Sequence, residues 1–144
     1  MGKALLVYAT RTGETQRIAE LVAEGIRISG MEAEVVDASA VKKEASLAGY
    51  DAVLFGSPTY HGEMLPAMKT LFFLAERSGL EGKVGGAFGA FGWSGEAPER
   101  IYQTMKHVLT MKMAGGPLML KSTALEGGMR MAHDYGRQIA ELCR

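Results

Sequence analysis

Three runs of the chain are apolar without alternation: Ala4 to Ala9, Asp51 to Gly56 and Val84 to Phe91. Continuous aliphatic runs of this length predict strands covered on both faces of a sheet. Two weaker runs, Ala33 to Asp37 and Pro117 to Lys121, complete a set of five. Between them, apolar residues recur at the three- and four-residue spacing that puts each set on one face of a helix. The sets are Ile18, Leu21, Val22 and Ile26, then Met68, Leu71, Phe72 and Ala75. Further on come Ile101, Met105, Val108 and Leu109, and near the end Ala132, Tyr135, Ile139 and Ala140. The stretch from Ser39 to Gly49 lacks the pattern, so no more than a short helix is expected there. Strands alternating with helices need right-handed crossovers, which predicts a doubly wound α/β domain with a five-stranded parallel sheet and helices on both faces. In the strand order 2-1-3-4-5 a ligand sits beyond the carboxyl ends of strands one and three. The loops that begin at Thr10 and Ser57 are therefore expected to carry function.

Composition removes several classes. A chain of 144 residues, 47% apolar and 22% charged, is long enough for one cored domain, residues 1–144, and shows no disordered or repetitive tract. Sixteen basic residues balance sixteen acidic ones, so no basic excess attracts nucleic acid. A single cysteine, Cys143, cannot close an internal disulfide or a CxxC metal site, which fits a reducing compartment and points to the cytoplasm. The opening apolar run is far too short for a membrane span, and no export signal is read at the N-terminus.

The candidate chemistry lies in three loops. Thr10-Arg11-Thr12-Gly13-Glu14-Thr15 follows the first strand and opens the first helix. Hydroxyls on either side of a glycine, beside the free N–H groups of a helix start, form an anion cradle. The competing reading is an ordinary helix cap supplied by Thr12. Neither GxxxxGK[ST] nor GxGxxG is present, so the anion implied is a monophosphate. The second loop, Gly56 to Glu63, offers a hydroxyl at Ser57, the Pro58-Thr59 pair, the Tyr60 ring, then His61 and Gly62. A flat heteroaromatic ring needs such a stacking face and polar edge. The third loop, Gly92 to Glu96, follows Phe91 and holds the only tryptophan, Trp93, with Gly95 after it. Glycines at 85, 86 and 89 leave room either for a ligand or for close helix packing.

Thr10-x-Thr12-Gly13-x-Thr15, Ser57-Pro58-Thr59-Tyr60 and Phe91-Gly92-Trp93-Ser94-Gly95 resemble the three FMN-binding loops of the flavodoxin family. The resemblance spans essentially the whole chain and, with an unbroken fifth segment, is to the short-chain members. The third loop is closer to the flavodoxin domain of flavodiiron proteins than to stand-alone flavodoxins. This resemblance implies a flavodoxin-like fold and FMN as cofactor. Thr10, Arg11, Thr12, Gly13, Glu14 and Thr15 would surround its phosphate. Ser57, Pro58, Thr59, Tyr60, His61 and Gly62, with Phe91, Gly92, Trp93 and Gly95, would surround its ring, Tyr60 and Trp93 taking opposite faces. The function implied is electron transfer between redox partner proteins by a monomer or weak dimer, with no catalytic residue and no metal of its own. An FMN-dependent NAD(P)H or quinone oxidoreductase is the alternative. A phospho-receiver domain is disfavoured because Thr10 to Thr12 and Ser57 stand where its acidic residues belong.

Two features depart from the family pattern: the chain is neutral with Arg11 inside the phosphate loop, and His61 intervenes between Tyr60 and Gly62. Gly62 is expected to let the 61–62 peptide turn toward the ring, and His61 to make that turn costlier. The remaining candidates read as structural. His107 and His133 are expected on solvated helix faces, and Met68 and Met105 in the core. Met111, Met113, Met129 and Met131 lie near helix ends, Glu96, Glu99 and Arg100 form a solvated helix start, and Cys143 is an inert thiol.

Overall fold

The computed structural model describes residues 2–91, 95–121 and 127–144. Its strands are β1 (Lys3–Tyr8), β2 (Glu32–Asp37), β3 (Ala52–Gly56), β4 (Val84–Ala90), β5 (Lys112–Met113) and β6 (Leu118–Leu120). The helices are α1 (Glu14–Ile28), α2 (Pro66–Ala75), α3 (Glu96–His107) and α4 (Gly128–Leu142). Between β2 and β3 lie only two short 3-10 turns, Ala38–Ala40 and Glu44–Leu47, as the weak patterning there predicts.

Every strand pairing is parallel, in the order β2-β1-β3-β4-β5 with β6 also on β4. β1 lies between β2 and β3, Leu6 standing opposite Val35 on one side and Leu54 on the other. Successive residues of β1 face opposite ways and both faces are covered. Ala4, Leu6 and Tyr8 join the core under α1 and α4, while Leu5, Val7 and Ala9 join the core under α2 and α3. The unbroken apolar run is the direct result.

The strand expected at Pro117 to Lys121 forms as β6. The fifth sheet position also holds a piece that the sequence did not lead us to expect, β5, separated from β6 by Ala114 to Pro117, where Gly116 takes φ +105°. β5 pairs with Val84 and Gly85, and β6 with Phe88 to Ala90, so on the side away from β3 the middle of β4, Gly86 and Ala87, has no strand beside it among the described residues. An unpaired N–H in a buried strand is costly. The side chain of Tyr135 closes that gap from α4: the Ala87 N–H donates to its hydroxyl oxygen at 2.9 Å. Burial raises the Tyr135 phenol well above its ordinary value.

Helices α1 and α4 meet backbone to backbone. A Cβ on Gly136 would strike the Val22 carbonyl oxygen, and one on Gly25 would strike the carbonyl oxygen of His133. That approach draws His133 inward, its Nε2 lying 3.6 Å from the Glu24 carboxylate, and corrects the reading of it as a solvated residue. His107 is exposed. Met68 and Met105 are fully buried, Met111 is buried too, and Met129 and Met131 are exposed. Val108, expected on the apolar face of α3, is exposed because the helix ends at His107 and the chain turns there to bury Leu109.

Candidate functional site

Beyond the carboxyl ends of β1, β3 and β4 lies a crevice of about 370 Å³. The first loop lines it with Thr10, Arg11, Thr12 and Thr15; the second adds Pro58, Thr59 and Tyr60, and Ala90 closes it from β4. A hollow of similar size opens at the opposite end of the sheet, by the amino ends of β1 and β2 beside Lys3 and Tyr50, but no helix N-terminus is among its lining residues.

In the first loop, Gly13 adopts φ +89°, a left-handed conformation that glycine takes without strain, and α1 begins at the next residue. No side chain caps that helix, so the Thr12 cap considered from the sequence does not form. Its first-turn N–H groups have no intrahelical acceptor and carry the positive end of the helix dipole. Thr10 folds back: its hydroxyl oxygen accepts the Gly13 N–H at 2.9 Å, holding the loop closed. Glu14 opens the first turn. Thr15 is 1% exposed, and its hydroxyl has no hydrogen-bond partner among the described residues. A buried hydroxyl left unpaired costs about 1–3 kcal/mol. It is an unmet demand built into the crevice wall. The Arg11 guanidinium lies over the Tyr60 ring, 3.9 Å from its centre.

The second loop is satisfied from within. Ser57 is fully buried; its hydroxyl accepts the Leu65 N–H at 2.9 Å and donates to the Pro58 carbonyl at 3.0 Å. That side chain shapes the loop from beneath. The Thr59 hydroxyl accepts the Ala97 N–H at 3.0 Å, tying the second loop to the start of α3. Tyr60 and Glu63 exchange both backbone hydrogen bonds, at 2.7 and 3.0 Å, around a two-residue turn. Its central residues, His61 at φ +52° and Gly62 at φ +74°, are both left-handed, as a type I′ turn requires. Glycine is at ease there; histidine is strained. The Glu63 carboxylate anchors the turn to Lys69 of α2 at 3.2 Å and Arg100 of α3 at 3.0 Å.

Of the third loop, Gly92 and Trp93 lie outside the described residues. Phe91 is half-buried and continues the ladder, its N–H donating to the Leu120 carbonyl at 3.1 Å. Gly95 sits at the N-cap of α3, where a Cβ would meet the Met119 sulfur. The glycines of β4 serve packing: a Cβ on Gly89 would collide with the Ser57 carbonyl oxygen. Sequence reasoning assigned no role to Ala90 or Glu63. A small residue ending a strand carries no signal of its own, and of the two cations that hold Glu63 one, Arg100, comes from a helix 37 residues further along the chain. Among the described residues there is no cluster of potential metal ligands.

A doubly wound sheet in this order, with an uncapped helix start facing a tyrosine-bearing loop across its switch point, defines a flavodoxin-like α/β protein. Residues 5–118 match the flavodoxin domain family model, and the chain belongs to the flavodoxin family. It is 37% identical over 144 residues to a flavodoxin of Aquifex aeolicus, covering 97% of this chain and 75% of that one. It is 35% identical over 108 residues to a putative diflavin flavoprotein A 2 of Thermosynechococcus vestitus, covering 72% of this chain and 18% of that much longer protein. Among solved structures, a flavodoxin from the domain Archaea superposes with a TM-score of 0.89 at 30% identity, covering 98% of both chains. The flavodiiron core of Flv1 from Synechocystis has the same fold, with a TM-score of 0.90 at 22% identity, this chain covering 36% of its length. Flavodoxin family members are FMN-binding flavoproteins, and the residues present fit that cofactor. An unpaired buried hydroxyl at an uncapped helix start suits a phosphate, and an exposed tyrosine across the crevice suits a flat ring.

Proposed function

We propose that this chain is an electron-transfer flavodoxin that holds FMN in the crevice between the loops after β1 and β3. The observation that carries the reading is the Thr15 hydroxyl, buried without a partner at the uncapped start of α1. Thr12, Thr15 and the first-turn N–H groups would hold the phosphate, with Gly13 giving close backbone approach. Thr10 holds the loop through Gly13, and its hydroxyl hydrogen remains to donate. Tyr60 and Pro58 would border the ring, with His61 and Gly62 at its edge; Ser57 and Thr59 keep that wall rigid. Phe91, Gly92, Trp93 and Gly95 would complete the far wall. FMN held there would supply the electron-transfer chemistry, and the protein would bind it, orient it and tune it. Redox proteins are the partners, docking at the exposed rim around Tyr60 and His61. The working form is a monomer or weak dimer in the cytoplasm. Among the described residues no helix is long and apolar enough to cross a membrane.

The test is flavin titration of the purified protein, followed by quenching of flavin fluorescence. FMN should bind with strong quenching and much more tightly than riboflavin; equal affinities would overturn the phosphate assignment. Steady-state assay with a nicotinamide and a quinone should show almost no turnover, because a carrier has no substrate of its own.

A further inference from the structure

The contact between Arg11 and Tyr60 joins the two halves of the crevice. The guanidinium comes from the loop that ends in the uncapped helix start, yet it lies on the ring of the other loop. Both side chains are exposed and both line the crevice. Arg11 has no carboxylate partner among the described residues, so the ring is its one specific contact there. A guanidinium is planar and weakly hydrated, so it stacks readily on an aromatic face while keeping its donors available. The same group is also suited to a phosphate, which it can bind in a fork of two charge-assisted hydrogen bonds. One side chain cannot lie flat on the Tyr60 face and leave that face open to a flavin ring.

We propose that Arg11 is a specificity-determining residue that covers the Tyr60 ring in the flavin-free protein and leaves it for the phosphate when FMN enters. The inference rests on the crevice being the FMN site. It makes phosphate binding and ring stacking mutually supportive: the phosphate draws the guanidinium away, and the ring takes the vacated face. A flavin without phosphate must displace Arg11 with nothing to receive it. Discrimination then has two sources, an added cation for FMN and an obstacle to riboflavin. Anchored Thr15 and N–H groups by themselves supply only the first kind.

The full-length flavin-free protein is titrated separately with FMN and with riboflavin, as wild type, Arg11→Ala and Arg11→Lys. Arg11→Ala should weaken FMN about tenfold, the scale of a lost hydrogen bond to a charged group. The same change should tighten riboflavin about two- to fivefold, the scale of an exposed cation–π contact. Arg11→Lys keeps the charge but covers the ring less well, so FMN should stay near wild type while riboflavin tightens. Inorganic phosphate provides an independent readout. In the wild type it should raise riboflavin affinity by drawing Arg11 off the ring, and in Arg11→Ala it should not, since linkage requires the coupling group to be present. If riboflavin binding is unchanged or weaker in Arg11→Ala, or phosphate does not help riboflavin in the wild type, the proposal fails while the FMN site stands. If the wild type fails to prefer FMN over riboflavin, the site reading itself fails and takes this inference with it.

Discussion

The two loops that face each other across the crevice are built on opposite principles. The loop from Thr10 to Thr15 leaves polar groups unmatched: a helix start without a side-chain cap and a buried hydroxyl without a partner. The loop from Ser57 to Glu63 matches its own, through Ser57 to Leu65, Thr59 to Ala97, Tyr60 to Glu63, and Glu63 to two cations. One loop offers bonding capacity that only a ligand can take up, and the other offers a shape held in place before the ligand arrives. Unmet polar groups cost stability in the empty protein, while a preformed wall lowers the ordering cost of binding. Binding function is thus concentrated where the fold is locally least satisfied.

The sharpest way to break this contrast is Thr15→Val, which removes the unmatched hydroxyl without changing the shape of the side chain. FMN affinity should fall by roughly ten- to a hundredfold, the worth of a hydrogen bond to a charged group, while riboflavin affinity should hardly move. The flavin-free protein should become more stable by about 1 kcal/mol, because a buried unpaired oxygen has gone. Paired flavin titrations and denaturant unfolding check both signs; a destabilised protein would mean that Thr15 already has its partner.

Ser57→Ala tests the other loop and should act in the opposite sense. The Leu65 N–H would lose its acceptor, costing about 1–3 kcal/mol of stability. FMN and riboflavin affinities should then decline together, because the wall borders the ring that both share. A selective loss for FMN would place Ser57 at the phosphate.

Tyr135→Phe is a control away from the crevice. It strips the Ala87 N–H of its acceptor and should cost about 1–3 kcal/mol with flavin affinity unchanged. The pH dependence carries a second signature. The buried phenol titrates above its ordinary value near 10, so its contribution is complete below that pH. As pH rises past the unfolded value the unfolded chain loses this proton first, and stability falls. Unfolding curves measured on both sides of pH 10 should show a steeper alkaline decline in the wild type than in the phenylalanine variant.

The smallest effect is expected at His61. His61→Gly relieves a non-glycine residue at φ +52° and should add about 0.5 kcal/mol of stability, the strain relieved being partly offset by the entropy of glycine. An easier 61–62 turn should also raise the first one-electron potential of bound FMN relative to the second. A redox titration showing no change or a fall would mean that this peptide does not respond to the cofactor.

Much of this protein was legible in its sequence because burial on both faces writes itself as an unbroken apolar run. Leu5 and Leu6 point to opposite cores and both must be apolar, so β1, β3 and β4 were readable, as were the four helix faces around Ile18, Leu71, Ile101 and Ile139. The Thr10 to Thr15 loop was readable for a related reason, since hydroxyls about a glycine at a strand-to-helix turn are a local pattern with a local cause. The second piece of the fifth strand was not, and neither was the closing of the gap beside β4 by Tyr135, which meets Ala87 across 48 residues of chain. Nor was the inward place of His133, which follows from Gly25 and Gly136 letting two helices touch. The same holds for Arg11 on Tyr60 and for Arg100 on Glu63. Sequence determines what each segment must bury and which local bonds it can make. Tertiary structure alone decided which distant groups answer each other's hydrogen bonds and charges, because those energies depend on ångström separations that no spacing along the chain encodes.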